Sequence, residues 1–321
     1  MSWLQWLAVA VAFAAAVAAL VALAVWRDPH RLIRAEFARE RVAAGFALRR
    51  AAIDGCRWRY VERAAASPQA PTLVMVHGYT GSKENWYRLC ASLGRRYRLV
   101  APDLPGWGDS QREAGADYGF AAQADNVAAF LRHLGGAPVV LVGHSMGGGI
   151  AALVAARHPD LVAKLALVDA AGVEFEENGF GLEVLAGGNP FAVGDARSLD
   201  RYLGVIFHDA SARPPLPWPG AWAYAAWRRR EAAFEQSVLD RIGRGDERFL
   251  PWQEAARIRQ PTLLLWGAHD RVIDPSAMAL YARRIPQART RLLERSGHMT
   301  LMEEPGAVAE ALIGLVEETP A

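Results

Sequence analysis

Apolar residues fall along this chain in two regimes: one unbroken block at the amino terminus and, after it, short apolar runs separated by longer stretches of mixed polarity. From Ser2 to Trp26 no residue is charged. At about 1.5 Å per residue such a helix exceeds the roughly 30 Å hydrocarbon core of a bilayer. Trp3, Trp6 and Trp26 stand at its two ends, where indole rings favour the interface. The later runs are short and rich in Val, Ile and Leu, the pattern of strands buried on both faces. They predict strands at about residues 47 to 53, 57 to 62, 72 to 77, 97 to 102, 139 to 143, 165 to 169, 262 to 266 and 290 to 293. Helical stretches lie between most of them, among them Ile150 to Arg157, which ends before Pro159, and about Pro275 to Ile285. Strand and helix in alternation predict a mostly parallel sheet flanked by helices.

One segment breaks the alternation. Residues 173 to 256 separate the strand at 165 from that at 262, too far for a connection and too apolar for a disordered one. Phe175, Phe207 and Trp222 are among its aromatic residues. Most of those aromatics are expected to form the segment's own core. The expected organisation is an anchor at 2–26, a basic juxtamembrane helix at 27–44, a core at 45–172 and 257–318, and a helical insertion at 173–256.

Composition narrows the function. With 321 residues, 52% of them hydrophobic, and a net charge of +2, the chain can bury one substantial α/β core. Of 36 basic residues only Lys83 and Lys164 are lysines, and the arginines are interspersed with acids rather than gathered in a stripe with aromatics. Nucleic acid is therefore not an expected partner. Cys56 and Cys90 lack zinc-ligand spacing, so free thiols, no metal and no cofactor are expected. A cleaved signal peptide competes with the anchor, since Ala22-Leu-Ala24 resembles a processing site. However, no Lys or Arg precedes the apolar run, which is longer than a usual signal core. Arg27, Arg31, Arg34, Arg39 and Arg41 follow it, and the positive-inside bias puts the remaining chain in the cytoplasm, at a bacterial inner membrane.

The candidate chemistry sits just past the predicted strands. Val139-Val-Leu-Val-Gly-His-Ser-Met-Gly147 places Ser145 on a strand-to-helix turn, with Gly143 and Gly147 where Cβ atoms have no room. A serine hydroxyl needs a base, and the base needs a group that fixes its tautomer. Asp270 follows the strand at 262 and His298 the strand at 290. The order Ser145, Asp270, His298 suits a parallel sheet with its chemistry at the strands' carboxyl ends. Asp169 and Asp274 are rival carboxylates, and Asp270 could instead cap the following helix. His77, His144 and His269 read as structural. Oxyanion donors are expected from the N–H groups of Met146 and Tyr79.

These motifs carry a resemblance. In order they are His77-Gly-Tyr79, Asp103-Leu-Pro-Gly-Trp-Gly-Asp-Ser110, Gly143-His-Ser-Met-Gly147, Trp266-Gly-Ala-His-Asp270 and Ser296-Gly-His298. Over roughly residues 45 to 318 the chain resembles the α/β-hydrolases, most closely the membrane-anchored monoacylglycerol lipases and related bacterial lipases and esterases. The resemblance implies an α/β-hydrolase fold with an eight-stranded sheet and a cap inserted after the sixth strand. It also implies a serine hydrolase of lipid or small ester substrates drawn from the bilayer, with Phe175, Phe207 and Trp222 lining the acyl pocket. Serine at position 145 argues against dehalogenases and epoxide hydrolases. A carbon–carbon hydrolase of ring-cleavage products and a non-catalytic binding module of the same fold are the alternatives.

Overall fold

The computed structural model describes residues 2–28, 30–216 and 218–318. Helix α1 (Trp3–Arg27) and helix α2 (His30–Ala43) precede a hairpin of β1 (Ala47–Ile53) and β2 (Cys56–Arg63). Then come β3 (Thr72–Val76), α3 (Tyr87–Leu93), β4 (Arg98–Pro102), α4 (Phe120–His133), β5 (Val139–His144), α5 (Met146–Arg157) and β6 (Val162–Val168). Four helices follow: α6 (Gly179–Leu185), α7 (Ala196–Ile206), α8 (Gly220–Arg244) and α9 (Leu250–Glu254). The chain closes with β7 (Thr262–Gly267), α10 (Ser276–Arg284), β8 (Arg289–Leu293), α11 (Thr300–Glu303) and α12 (Pro305–Glu317).

The eight strands form one sheet in the order β1-β2-β4-β3-β5-β6-β7-β8. β2 pairs antiparallel with β1 and β4, and every later pairing is parallel. Alternate residues of each central strand go to opposite faces. Val74, Val76, Leu141, Leu165, Leu167 and Leu264 pack on one face with residues of α4, α5 and α10. Leu73, Met75, Val140, Val142, Ala166 and Leu265 pack on the other with α3 and α12. Burial on both faces is why these strands read as continuous apolar runs rather than alternating ones.

Helix α5 starts four residues earlier than the sequence pattern predicts, at Met146 rather than Ile150. Gly147, Gly148 and Gly149 are helical, although glycine is a poor helix former. Close packing explains them. A Cβ on Gly148 would lie 2.5 Å from the Cβ of Ala170, and one on Gly149 2.9 Å from the carbonyl of Ala171. The helix lies so near the following loop that only glycine fits.

The helices α6 to α9 stand between β6 and β7, where the alternation breaks. The 25-residue α8 packs on α6 and α7 and also receives α2, with the imidazole of His30 stacked on Trp227 at 4.9 Å. Helix α1 has no buried residue, and its most apolar 18-residue stretch has a mean hydropathy of 2.7, long and apolar enough to cross a membrane.

Two glycine substitutions test the packing in opposite directions. Gly148→Ala is expected to destabilise by about 1–3 kcal/mol through overpacking. Gly314→Ala, on the exposed side of α12 with nothing within 4 Å of its Cβ position, is expected to stabilise by about 0.5–1 kcal/mol. Denaturant midpoints of the purified variants measure both, and a Gly148→Ala protein as stable as the parent would contradict the close approach.

Candidate active site

The turn from β5 into α5 puts Ser145 at φ 55° and ψ −122°, a backbone region that non-glycine residues rarely occupy. Backbone bonds hold it there. The Ser145 N–H donates to the carbonyl of Val168 at 2.9 Å, and the Ser145 carbonyl accepts from Gly148 at 2.9 Å and Ala171 at 2.9 Å. The neighbouring chain is too close for side chains: a Cβ on Gly143 would lie 2.2 Å from the carbonyl oxygen of Gly147, and one on Gly147 2.2 Å from that of Val76.

The structure brings Ser145, His298 and Asp270 together, all buried. Ser145 Oγ and His298 Nε2 are 3.0 Å apart, and His298 Nδ1 is 2.8 Å from Asp270 Oδ2. Asp270 Oδ1 accepts the N–H groups of Val272 at 2.7 Å and Ile273 at 3.0 Å. With Nδ1–H donated to the carboxylate, Nε2 is left as the acceptor facing the serine hydroxyl. Burial lowers the His298 pKa to about 3, against the opposing pull of Glu303, so the ring is neutral. Burial also pushes the Asp270 carboxyl up, and the Val272 and Ile273 N–H groups work against that by favouring the ionised form.

The rival carboxylates go elsewhere. Asp169 is fully buried, but accepts the Gly267 N–H at 2.8 Å and the Thr300 hydroxyl at 2.6 Å, tying β6 to β7 and to α11. Asp274 accepts the Ser276 N–H at 2.9 Å, at the entry to α10. Each structural histidine has a distinct task. His77 Nε2 accepts the Leu104 N–H at 3.1 Å, which leaves Nδ1–H to donate to the Gly78 carbonyl at 2.8 Å; burial lowers its pKa to about 4. His144 Nε2–H donates to the carbonyl of His298 at 2.8 Å, fixing the loop that carries His298. His269 stacks on His208 at 3.8 Å.

Tyr79 and Met146 line the same cavity as Ser145. Gly78 lies so close that a Cβ there would be 2.9 Å from the Ser145 Cβ. As the first residue of α5, Met146 has no intrahelical partner for its N–H. The Tyr79 hydroxyl donates to the Glu235 carbonyl of α8 at 2.6 Å, tying this loop to the insertion. Sequence reasoning missed a second tie. Lys83, buried, holds Asp103 at 2.7 Å, Glu84 at 2.8 Å and Asp109 at 3.0 Å, which fastens the Asp103–Ser110 loop beside His77. Of its partners, Asp103 and Asp109 belong to a motif quoted above, but no spacing rule pairs them with Lys83.

The cavity in front of Ser145 is lined mainly by apolar side chains, as ligand pockets usually are. Of the three residues expected on its wall, Phe175 is there, whereas Phe207 and Trp222 are not. Phe207 follows α7 and is buried in the core; Trp222 lies near the start of α8, 42% exposed. The far end of α8 reaches the cavity instead, through Leu239, Ile242 and Gly243, joined by Phe180 and Phe191. The spacing i, i+3, i+4 of those three positions was the available signal, obscured by weighting aromatic over aliphatic residues.

Residues 71–305 match the family model described as the alpha/beta hydrolase fold. The chain belongs to this family. Lipase 1 of Psychrobacter immobilis is 31% identical over 242 residues, 72% of either chain. Monoacylglycerol lipase ABHD6 of Homo sapiens is 28% identical over 253 residues, 76% of this chain and 74% of that one. A crystal structure of a membrane phospholipase A, described as a bacterial virulence factor, superposes with a TM-score of 0.84 at 33% identity, covering 98% of this chain and 99% of that one. Among α/β-hydrolases the chain is an enzyme of the lipase and esterase type.

The carboxylates can be told apart by substitution. Asp270→Asn is expected to leave the fold intact and lower kcat on p-nitrophenyl butyrate by orders of magnitude, about 10⁴-fold by analogy with a serine protease. Asp169→Asn is expected to cost mainly stability. Equal losses of kcat in the two variants at equal thermal stability would remove the distinction.

Proposed function

We propose that Ser145, His298 and Asp270 form the catalytic triad of a membrane-anchored serine hydrolase that cleaves carboxylic esters of lipids, monoacylglycerols foremost. One observation carries this reading. The hydrogen-bonded series from Asp270 through His298 to Ser145, at 2.8 and 3.0 Å, opens onto an apolar cavity.

In the reaction, His298 Nε2 takes the proton of Ser145 as Oγ bonds to the ester carbonyl carbon. The N–H groups of Tyr79 and Met146 receive the oxyanion that develops, already oriented by the loop and by the start of α5. Collapse breaks the bond to the alcohol, which leaves with the proton from His298 Nε2. Water then attacks the acyl-enzyme by the same route and releases the acid. Asp270 holds the tautomer and stabilises the imidazolium formed at each step. No metal or cofactor takes part in these steps.

Residues 173–256 act in this reading as a cap over the nucleophile, with Phe175, Phe180 and Phe191 against the acyl chain. Helix α1 is the anchor, and the arginines from Arg27 to Arg41 favour a cytoplasmic catalytic domain at the bacterial inner membrane. The likeness to a monoacylglycerol lipase supports a single-chain lipid substrate. A phospholipid ester is the second reading, favoured by likeness to a membrane phospholipase A over nearly the whole chain.

A graded series of p-nitrophenyl esters, with monoacylglycerols and a short-chain phospholipid, tests the reading on detergent-solubilised protein. Each methylene that enters the cavity contributes about 0.8 kcal/mol, so kcat/KM is expected to rise about fourfold per carbon until the cavity is full. Phe175→Trp, which enlarges a ring already on the cavity wall, should shorten the optimum; Trp222→Ala should leave it unchanged. A flat profile in the parent would mean that the cavity does not hold the acyl chain.

A further inference from the structure

A second pocket lies away from the Ser145 cavity, where α2 meets the β1–β2 hairpin. Arg34 of α2, Arg50 of β1 and Arg59 of β2 line it, with Asp109 and Ser110. The ladder places Arg50 directly opposite Arg59. Residues opposite each other in an antiparallel pair project to the same face, and like charges in that relation destabilise the sheet. Arg34 adds a third guanidinium.

Among the described residues this charge is only partly balanced. Asp109 is the one carboxylate of the pocket wall, and Lys83 already holds it at 3.0 Å; Arg34 reaches it only at 4.0 Å. The Arg59 backbone is occupied, its N–H by Ser110 Oγ at 2.8 Å and its carbonyl by the Asp103 N–H at 2.8 Å. Its side chain is not. Arg59 Nη1 is buried without a hydrogen-bond partner among the described residues. A buried, unpaired guanidinium nitrogen beside two further guanidiniums is costly unless an anion completes it.

We propose that Arg34, Arg50 and Arg59 form a binding site for a phosphate group. Three planar forks present more N–H donors than one carboxylate can accept, whereas a tetrahedral phosphate offers several acceptor oxygens and matches guanidinium geometry. Position also favours a phosphate held at a membrane. Arg34 lies four residues into α2, about 6 Å of helix rise from its start and close behind α1, a distance comparable with the thickness of a headgroup layer. A lipid headgroup and a free phosphate share this chemistry, and the experiment separates them.

The full chain in a maltoside detergent is titrated with inorganic phosphate, with sodium chloride at matched ionic strength as control, and thermal unfolding is followed. In a second arm the Ser145→Ala protein, which cannot consume lipid under the reading above, receives dihexanoyl phosphatidylglycerol or, as the phosphate-free control, dihexanoylglycerol. The phosphate-bearing probe is expected to raise the unfolding temperature beyond its control. Removing one guanidinium, by Arg50→Gln or Arg34→Gln, should weaken that dissociation constant about tenfold or more. Arg50→Gln carries a further signature: without ligand it should be more stable than the parent, because the like-charge pair is relieved, whereas a purely structural arginine would leave it less stable. Arg34→Gln, on the exposed face of α2, keeps the test valid if the sheet variant fails to fold. A response to the lipid alone identifies a headgroup, and a response to inorganic phosphate alone a free anion. No response to either, or equal responses in the parent and both variants, overturns the site.

Discussion

The arrangement depends on a steric constraint at one turn. Ser145 holds a left-handed backbone conformation because β5, α5 and the loop after β3 approach one another with no room for Cβ atoms at Gly143, Gly147 or Gly78. That crowding points the serine side chain out of the turn and starts α5 immediately behind it. It also sets the Met146 N–H at a helix start, where an oxyanion can be received. The same constraint recurs across the sheet: a Cβ on Gly267 would lie 2.1 Å from the carbonyl oxygen of Gly297, so the loops bearing Asp270 and His298 meet through a glycine. Strain of a few kcal/mol at a position such as Ser145 persists only where the surrounding packing over-determines it, as the buried sheet does here.

Burial then decides the charge state of the groups held there. His77, His144 and His298 are all desolvated, with pKa values pushed well below that of free imidazole. His77 and His144 spend their neutral form on the hydrogen bonds that shape the site, whereas His298 keeps one nitrogen free for the serine. The insertion joins this frame through buried polar groups. Arg228 on α8 donates to Glu235 at 3.0 Å and to the Phe191 carbonyl at 2.9 Å, and the Glu235 carbonyl receives the Tyr79 hydroxyl. Removing one member of such a buried pair typically costs about 3–5 kcal/mol. The Tyr79 hydroxyl thus ties the loop beside the serine to α8.

Much of this could be read from the residues. Strands buried on both faces announce themselves as apolar runs, so their positions were predictable to within a few residues. Ser145, Asp270 and His298 were legible because each follows such a run, and order along the chain stands in for proximity in a parallel sheet. The start of α5 was not legible, since three consecutive glycines signal a turn unless the closeness of Ala170 and Ala171 is known. Lys83 as the partner of Asp103 and Asp109 was hidden because the pairing is set by loop closure rather than by spacing. The cavity wall was misjudged for another reason. Aromatic residues draw attention, but the rotation of α8 turns Trp222 toward solvent and brings Leu239, Ile242 and Gly243 inward.

The central claim, that Ser145 is a nucleophile activated by His298, is tested most directly by covalent trapping. The full chain is treated with a fluorophosphonate and the adduct located by peptide mass spectrometry, in parallel with Ser145→Ala and His298→Ala. The account predicts a single adduct on Ser145, absent from Ser145→Ala and formed orders of magnitude more slowly in His298→Ala. An adduct on another residue, or equal labelling of the parent and His298→Ala, would contradict it.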